Sequence, residues 1–216
     1  MTSIRVWDVP TRIVHWLFVV LLPLSWWTAE IERMEWHRYG GYALLGLLVF
    51  RIYWGFAGAS TARFARFVKG PRALAAYLRG AWTAAPGHNP LGALSVVALL
   101  ALLAAQVTLG LFAVDVDGIE SGPLSIFVSF DTGRSAAGLH KDVFNVLLAV
   151  VALHLLAILY YLFAKKQNLV GPMVHGAREG AFAADDVQFA GAARLWTGIV
   201  LAIAFTWLVA EAFGHG

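Results

Sequence analysis

The chain has 216 residues, 60% of them hydrophobic and only 13% charged, with seven histidines, no cysteine and a formal net charge of +3. Soluble domains carry charge on about a quarter of their residues, so the composition excludes one and points to an integral membrane protein. The lack of cysteine excludes disulfides, iron–sulfur clusters, thiolate zinc sites and covalent haem attachment through Cys-x-x-Cys-His, which leaves histidine as the means of holding a redox metal.

Five segments are long and apolar enough to cross a hydrocarbon core of about 30 Å: 12–29, 39–57, 91–114, 141–163 and 195–213. The first has no small-residue cleavage site and carries His15 and several tryptophans, so it is expected to stay in the mature protein. The connection at 30–38 is acidic, with Glu30, Glu32 and Glu35 against Arg33 and Arg38. The next, at 58–90, carries Arg63, Arg66, Lys69, Arg72 and Arg79 and no acidic residue. Asp115, Asp117, Glu120 and Asp131 against Arg134 follow the third span, and Lys165, Lys166, Arg178 and Arg194 follow the fourth. The basic loops belong in the cytoplasm, with the N-terminus inside and the C-terminus, at Gly216, outside. These anchoring charges account for the basic balance without a nucleic-acid partner. Trp26, Trp27 and Trp54 read as interfacial anchors.

The histidines fall at two depths. His140 and His154 are fourteen residues apart on one span; at about 100° and 1.5 Å per residue they share a face within roughly 40° and lie about 21 Å apart. With the orientation above, His37 and His140 lie near the outer edge, and His15 lies towards the depth of His154. The pairs are therefore His37 with His140 and His15 with His154, an arrangement suited to two bis-histidine haems. Taken singly, each of these histidines has an alternative role as a bond between helices or in a polar cavity. His88, His175 and His215 fall in connections or the tail, where solvated surface is the default; His88, in GHNPLG, is close enough to the third span to meet a quinone or a haem edge.

The segments VWDVPTRIVHW, HRYGGYALLGLLVFRIYWGFAG, ARFARFVKGPRALAAYL, GHNPLG and LHKDVFNVLLAVVALHLL together resemble the prokaryotic cytochrome b561 family, which includes the b-type cytochrome subunits of nickel–iron hydrogenases. The resemblance covers most of residues 4–175. It implies an all-α integral membrane fold, a four-helix bundle holding two b-type haems, with His15, His37, His140 and His154 as axial ligands. It also divides the chain into a four-helix dihaem domain at 1–175 and, at 176–216, a cytoplasmic connection with an additional transmembrane helix. That fifth helix is expected to pack or anchor rather than dock a partner.

Other residues fit the haem reading. Gly40 and Gly41, a turn after His37, let the backbone approach a flat macrocycle, and Gly46 serves helix packing equally well. Arg51 stands within an apolar run, where a haem propionate would neutralise it; the alternative is snorkelling to the interface. Arg12 is a second candidate for the inner propionate, and Arg38, Arg134 and Lys141 are placed for the outer haem. Two iron centres closed to exogenous ligands move single electrons, and by analogy with the family the chain is expected to link the quinone pool to a periplasmic partner, a c-type cytochrome or another redox subunit. Two alternatives remain open at this stage. One is a superoxide oxidase reducing ubiquinone, with Arg38, Arg134 and Lys141 attracting the anion, although that face has nine acidic residues against four basic ones. The other is a haem-free transporter whose histidines relay protons.

Overall fold

Apolar segments become helices, and polar caps set where several of them start. The computed structural model describes residues 2–83, 85–180 and 187–212. In order, β1 (Thr2–Arg5) leads into α1 (Val9–Glu30) and α2 (Met34–Ala57), then two short helices, α3 (Phe64–Phe67) and α4 (Pro71–Leu78). There follow α5 (Pro90–Phe112), a 3₁₀ turn at Ser125–Phe127, α6 (Phe130–Phe163), α7 (Val170–His175), β2 (Ala177–Gly180) and α8 (Ala192–Ala212). Among the described residues, α1, α2, α5, α6 and α8 have the length and hydropathy to cross a membrane. They match the five predicted spans, except that α6 begins eleven residues before 141 and so carries His140 inside the helix rather than at its start. The extra turns, with Asp131, Gly133, Arg134 and Ser135, are too polar to read as membrane span but form an ordinary helix. His215 and Gly216 lie outside the described residues.

By contacts the chain divides into two units. The first comprises Met1–His15, Arg51–Ala98 and Val150–Gly198, and the second Trp16–Phe50, Leu99–Ala149 and Ile199–Gly216.

In the first unit, Asp8 caps α1: its Oδ1 accepts from the Thr11 amide at 2.9 Å, and its Oδ2 from the indole of buried Trp54 at 2.8 Å. Such a cap satisfies one of the orphan amides of a helix start. Pro10 sits in the first turn, where its missing N–H costs nothing. Asn89 caps α5 in the same way, accepting from Gly92 at 2.7 Å, and its amide donates to the hydroxyls of Tyr161 and Tyr77, which bond to each other. β1 pairs antiparallel with β2, from Thr2 opposite Gly180 to Arg5 opposite Ala177. The Val6 and Trp7 amides both donate to the Gly176 carbonyl, and Ile4, Val6 and Trp7 form a small core with Met173.

The second unit is built on Leu44, Leu45 and Leu48 of α2, Leu103 and Val107 of α5 and Val209 of α8, with Phe18, Leu21 and Leu22 of α1 packed against them. Gly46 of α2 meets Thr206 of α8, where an added Cβ would stand 3.0 Å from the hydroxyl. The fifth long helix is thus packed into this core. Its other side, at Trp196, Val200, Ile203 and Trp207, is more than 60% exposed at every position, which suits a lipid environment.

Candidate functional site

His37 of α2 and His140 of α6 face each other in the second unit, their ring centroids 6.0 Å apart and their planes at 84°. Each is held from behind by a main-chain carbonyl. His37 Nδ1 donates to the Ser25 carbonyl of α1 at 2.8 Å, and His140 Nδ1 to the Gln106 carbonyl of α5 at 2.9 Å. A carbonyl can only accept, so both rings carry their proton on Nδ1 and leave the Nε2 lone pair for a ligand. The helices come close enough for these bonds because glycines stand beside them. A Cβ on Gly40 would strike the Ser25 hydroxyl, and one on Gly110 would lie 3.0 Å from the His140 ring.

The first unit contains both His15 of α1 and His154 of α6. His154 Nδ1 shares a hydrogen bond of 3.3 Å with the Ser95 hydroxyl of α5. Arg51 is buried, with 6% of its surface exposed. Its guanidinium stands 5.4 Å from the Phe64 ring centroid, and Nη1 has no hydrogen-bond partner among the described residues. His88, expected at a solvated surface, is instead packed between Trp7 and Phe67, each ring centroid 4.7 Å away, with Nδ1 buried. Burial, reinforced by the charges of Arg51, His15 and His154, pushes its pKa down to about 3.

The remaining predicted residues are distributed as follows. Arg12 donates to the Val174 carbonyl, and its Nε is buried without a partner among the described residues. Arg38 forms an ion pair with Glu120, and Arg134 donates to the Val114 carbonyl at 2.9 Å. Lys141 is exposed. Gly40 is accounted for by the approach of Ser25, whereas Gly41 faces open space. His175 is an exposed residue whose Nδ1 accepts from the Ala177 amide.

The described residues contain no cluster of three or more His, Cys, Asp or Glu side chains arranged to hold a metal ion. Paired histidines supply two ligands, so a metal between them must bring others of its own. The family model for prokaryotic cytochrome b561 matches residues 6–176, from just after β1 to just past the end of α7. The chain belongs to the prokaryotic cytochrome b561 family. No curated protein and no solved structure matches it. This cytochrome is accordingly an all-α, multi-pass membrane protein of b-type haem electron transfer, which removes the haem-free transporter reading.

The residues present fit that cofactor. Two imidazoles sharing one metal through bonds of about 2 Å place their ring centres roughly 6 Å apart, which matches the His37–His140 separation of 6.0 Å. In the first unit, the buried Nη1 of Arg51 supplies an unpaired donor of the kind a propionate satisfies.

Sequence reading passed over Ser25, Ser95, Gln106, Gly110 and Asp8. Gln106 and Gly110 do leave a signal in the sequence. A lone amide within the apolar run LLALLAAQVTLG, followed one turn later by glycine, marks a polar contact between membrane helices.

Proposed function

We propose that this cytochrome holds two b haems, one between His37 and His140 and one between His15 and His154, and carries single electrons between the quinone pool and a redox partner at the periplasmic face. The observation that carries the reading is the facing pair His37 and His140, both turned Nε2-outwards by main-chain carbonyls. Bound haem iron supplies the one-electron chemistry, and histidine on both axial positions closes it to exogenous ligands. Arg51 and Arg12 are assigned to the propionates of the His15/His154 haem. Arg134 and Lys141 are assigned to those of the other, with Arg38 joining them where Glu120 releases it; Gly41, with open space beside it, lets the backbone approach that haem, while Gly40 serves the approach of Ser25.

The partner is a c-type cytochrome or a similar redox subunit, attracted by the acidic connections. The basic connections face the cytoplasm and the acidic ones the periplasm. The engagement of Arg38 with Glu120 weighs against these arginines as a trap for superoxide.

Quantifying haem in fully loaded protein tests the count, with two per chain expected and one overturning the pairing. His37→Leu and His140→Leu should abolish or convert to high spin the same haem, and His15→Leu and His154→Leu the other. A shared effect of His37→Leu and His154→Leu on one haem would overturn the assignment. A reporter active only in the periplasm should work when fused after Gly216 and stay silent when fused after Lys69.

A further inference from the structure

We propose that Gln106 is the positioning residue of His140, and that it sets the iron-binding tautomer of that ring before haem arrives. The inference rests on His140 being a haem ligand. Gln106 is a buried amide, 8% exposed, towards the C-terminal end of α5. It addresses both nitrogens of one imidazole. Its main-chain carbonyl accepts from His140 Nδ1 at 2.9 Å, and its side-chain amide Nε2 stands 3.0 Å from His140 Nε2.

An amide nitrogen can only donate, and a carbonyl can only accept, so the two contacts demand the same tautomer: proton on Nδ1, lone pair on Nε2. That is the form iron requires. The side chain therefore occupies the iron-binding nitrogen as a placeholder and withdraws as haem enters, while the main-chain bond stays. Donation from Nδ1 to a carbonyl makes a histidine ligand more basic and fixes its orientation. Gly110, one turn further along α5, keeps this geometry open. A Cβ there would lie 3.0 Å from Cε1 and 3.2 Å from Nδ1 of His140, so the ring would be pushed off the Gln106 carbonyl.

The two halves separate experimentally. Gly110→Ala disturbs the main-chain bond. Haem at this site should then bind roughly tenfold more weakly, and in redox titration of the full-length protein its midpoint potential should rise while the other haem keeps its own. Gln106→Leu retains the carbonyl and removes the placeholder. Iron no longer displaces an amide, so haem titrated into haem-depleted protein should bind roughly fivefold more tightly with its potential unchanged. Gln106→Glu offers Nε2 an acceptor, which holds the proton there, and should weaken haem binding.

Unchanged potentials in Gly110→Ala, equal shifts of both haems, or haem loss in Gln106→Leu would each overturn the proposal. His140→Leu separates this from failure of the ligand assignment. If it leaves two normal haems, the assignment is wrong; if it removes one and Gly110→Ala changes nothing, only the positioning role is wrong.

Discussion

In the second unit both imidazoles hang from main-chain carbonyls, Ser25 for His37 and Gln106 for His140. In the first unit His154 meets a side-chain hydroxyl, and the polarity around the pair comes from ionisable side chains, Arg51, Asp8 and His88. A helix carbonyl survives any substitution at its own residue, whereas side-chain donors and charges are lost one mutation at a time. The two pairs of histidines are thus supported in one place by backbone and small residues and in the other by ionisable side chains. The two units should fail differently.

The largest difference should follow from Asp8→Ala. The substitution uncaps α1 and removes the carboxylate that accepts from the buried Trp54 indole N–H, at a combined cost of about 2 kcal/mol. Thermal denaturation in detergent should show the His15/His154 haem lost first while the His37/His140 haem keeps its spectrum. Simultaneous loss of both would make the two units one cooperative body.

Acid should act in the same sense. His88 titrates at about 3 in the folded chain against an ordinary 6.5, because burial opposes its charge. The unfolded chain therefore binds the extra proton below 6.5, and the stability that neutral His88 contributes is complete above that pH and lost as pH falls towards 3. Melting of the first unit should steepen its pH dependence across this window, and His88→Phe should flatten it. An unaltered pH profile in that variant would assign the acid sensitivity elsewhere.

A smaller effect concerns potentials. Carbonyl-bonded histidines are more basic and favour the ferric state, whereas a buried cation favours the ferrous state. Redox titration should find the His37/His140 haem at the lower potential, and Arg51→Gln should lower the potential of the other haem alone. The reverse order would mean that the charge of the surrounding loops outweighs both contributions.

Smallest is the kinetic effect of the acidic surface. Glu32, in the turn before α2, and Glu35, in the first turn of α2, are exposed. Charge complementarity accelerates encounter and is screened beyond about 8 Å at physiological salt. Glu32→Lys with Glu35→Lys should slow electron transfer to a basic c-type cytochrome several-fold at low salt and flatten its salt dependence, leaving both haem spectra intact. Indifference to both changes would place docking on an apolar face instead.

The five spans were legible because they depend on one local rule, hydropathy along a run of residues, and the approach of His37 to His140 was legible from a fixed rise per residue. What stayed hidden depends on distant partners. The early turns of α6 look like a polar connection, since Asp131, Arg134 and Ser135 say nothing of membrane. His88 reads as a loop residue until Trp7, eighty-one positions earlier, is found stacked on it. Arg38 looked free for a cofactor because its partner, Glu120, lies on another connection. Gly40 was legible as a close approach, but what approaches in the chain itself is Ser25.

The pairing of β1 with β2 bears on the order in which the molecule is made. Thr2 cannot meet Gly180 until the ribosome has passed that residue, which at about 5–20 residues per second takes on the order of ten seconds or more. During that interval α1 has been synthesised, yet the Val6 and Trp7 amides lack the Gly176 carbonyl and Arg12 lacks that of Val174. The start of the helix that carries His15 is therefore secured only after four long helices have been synthesised. The nascent chain passes through a stage in which this end of the first unit remains unlatched.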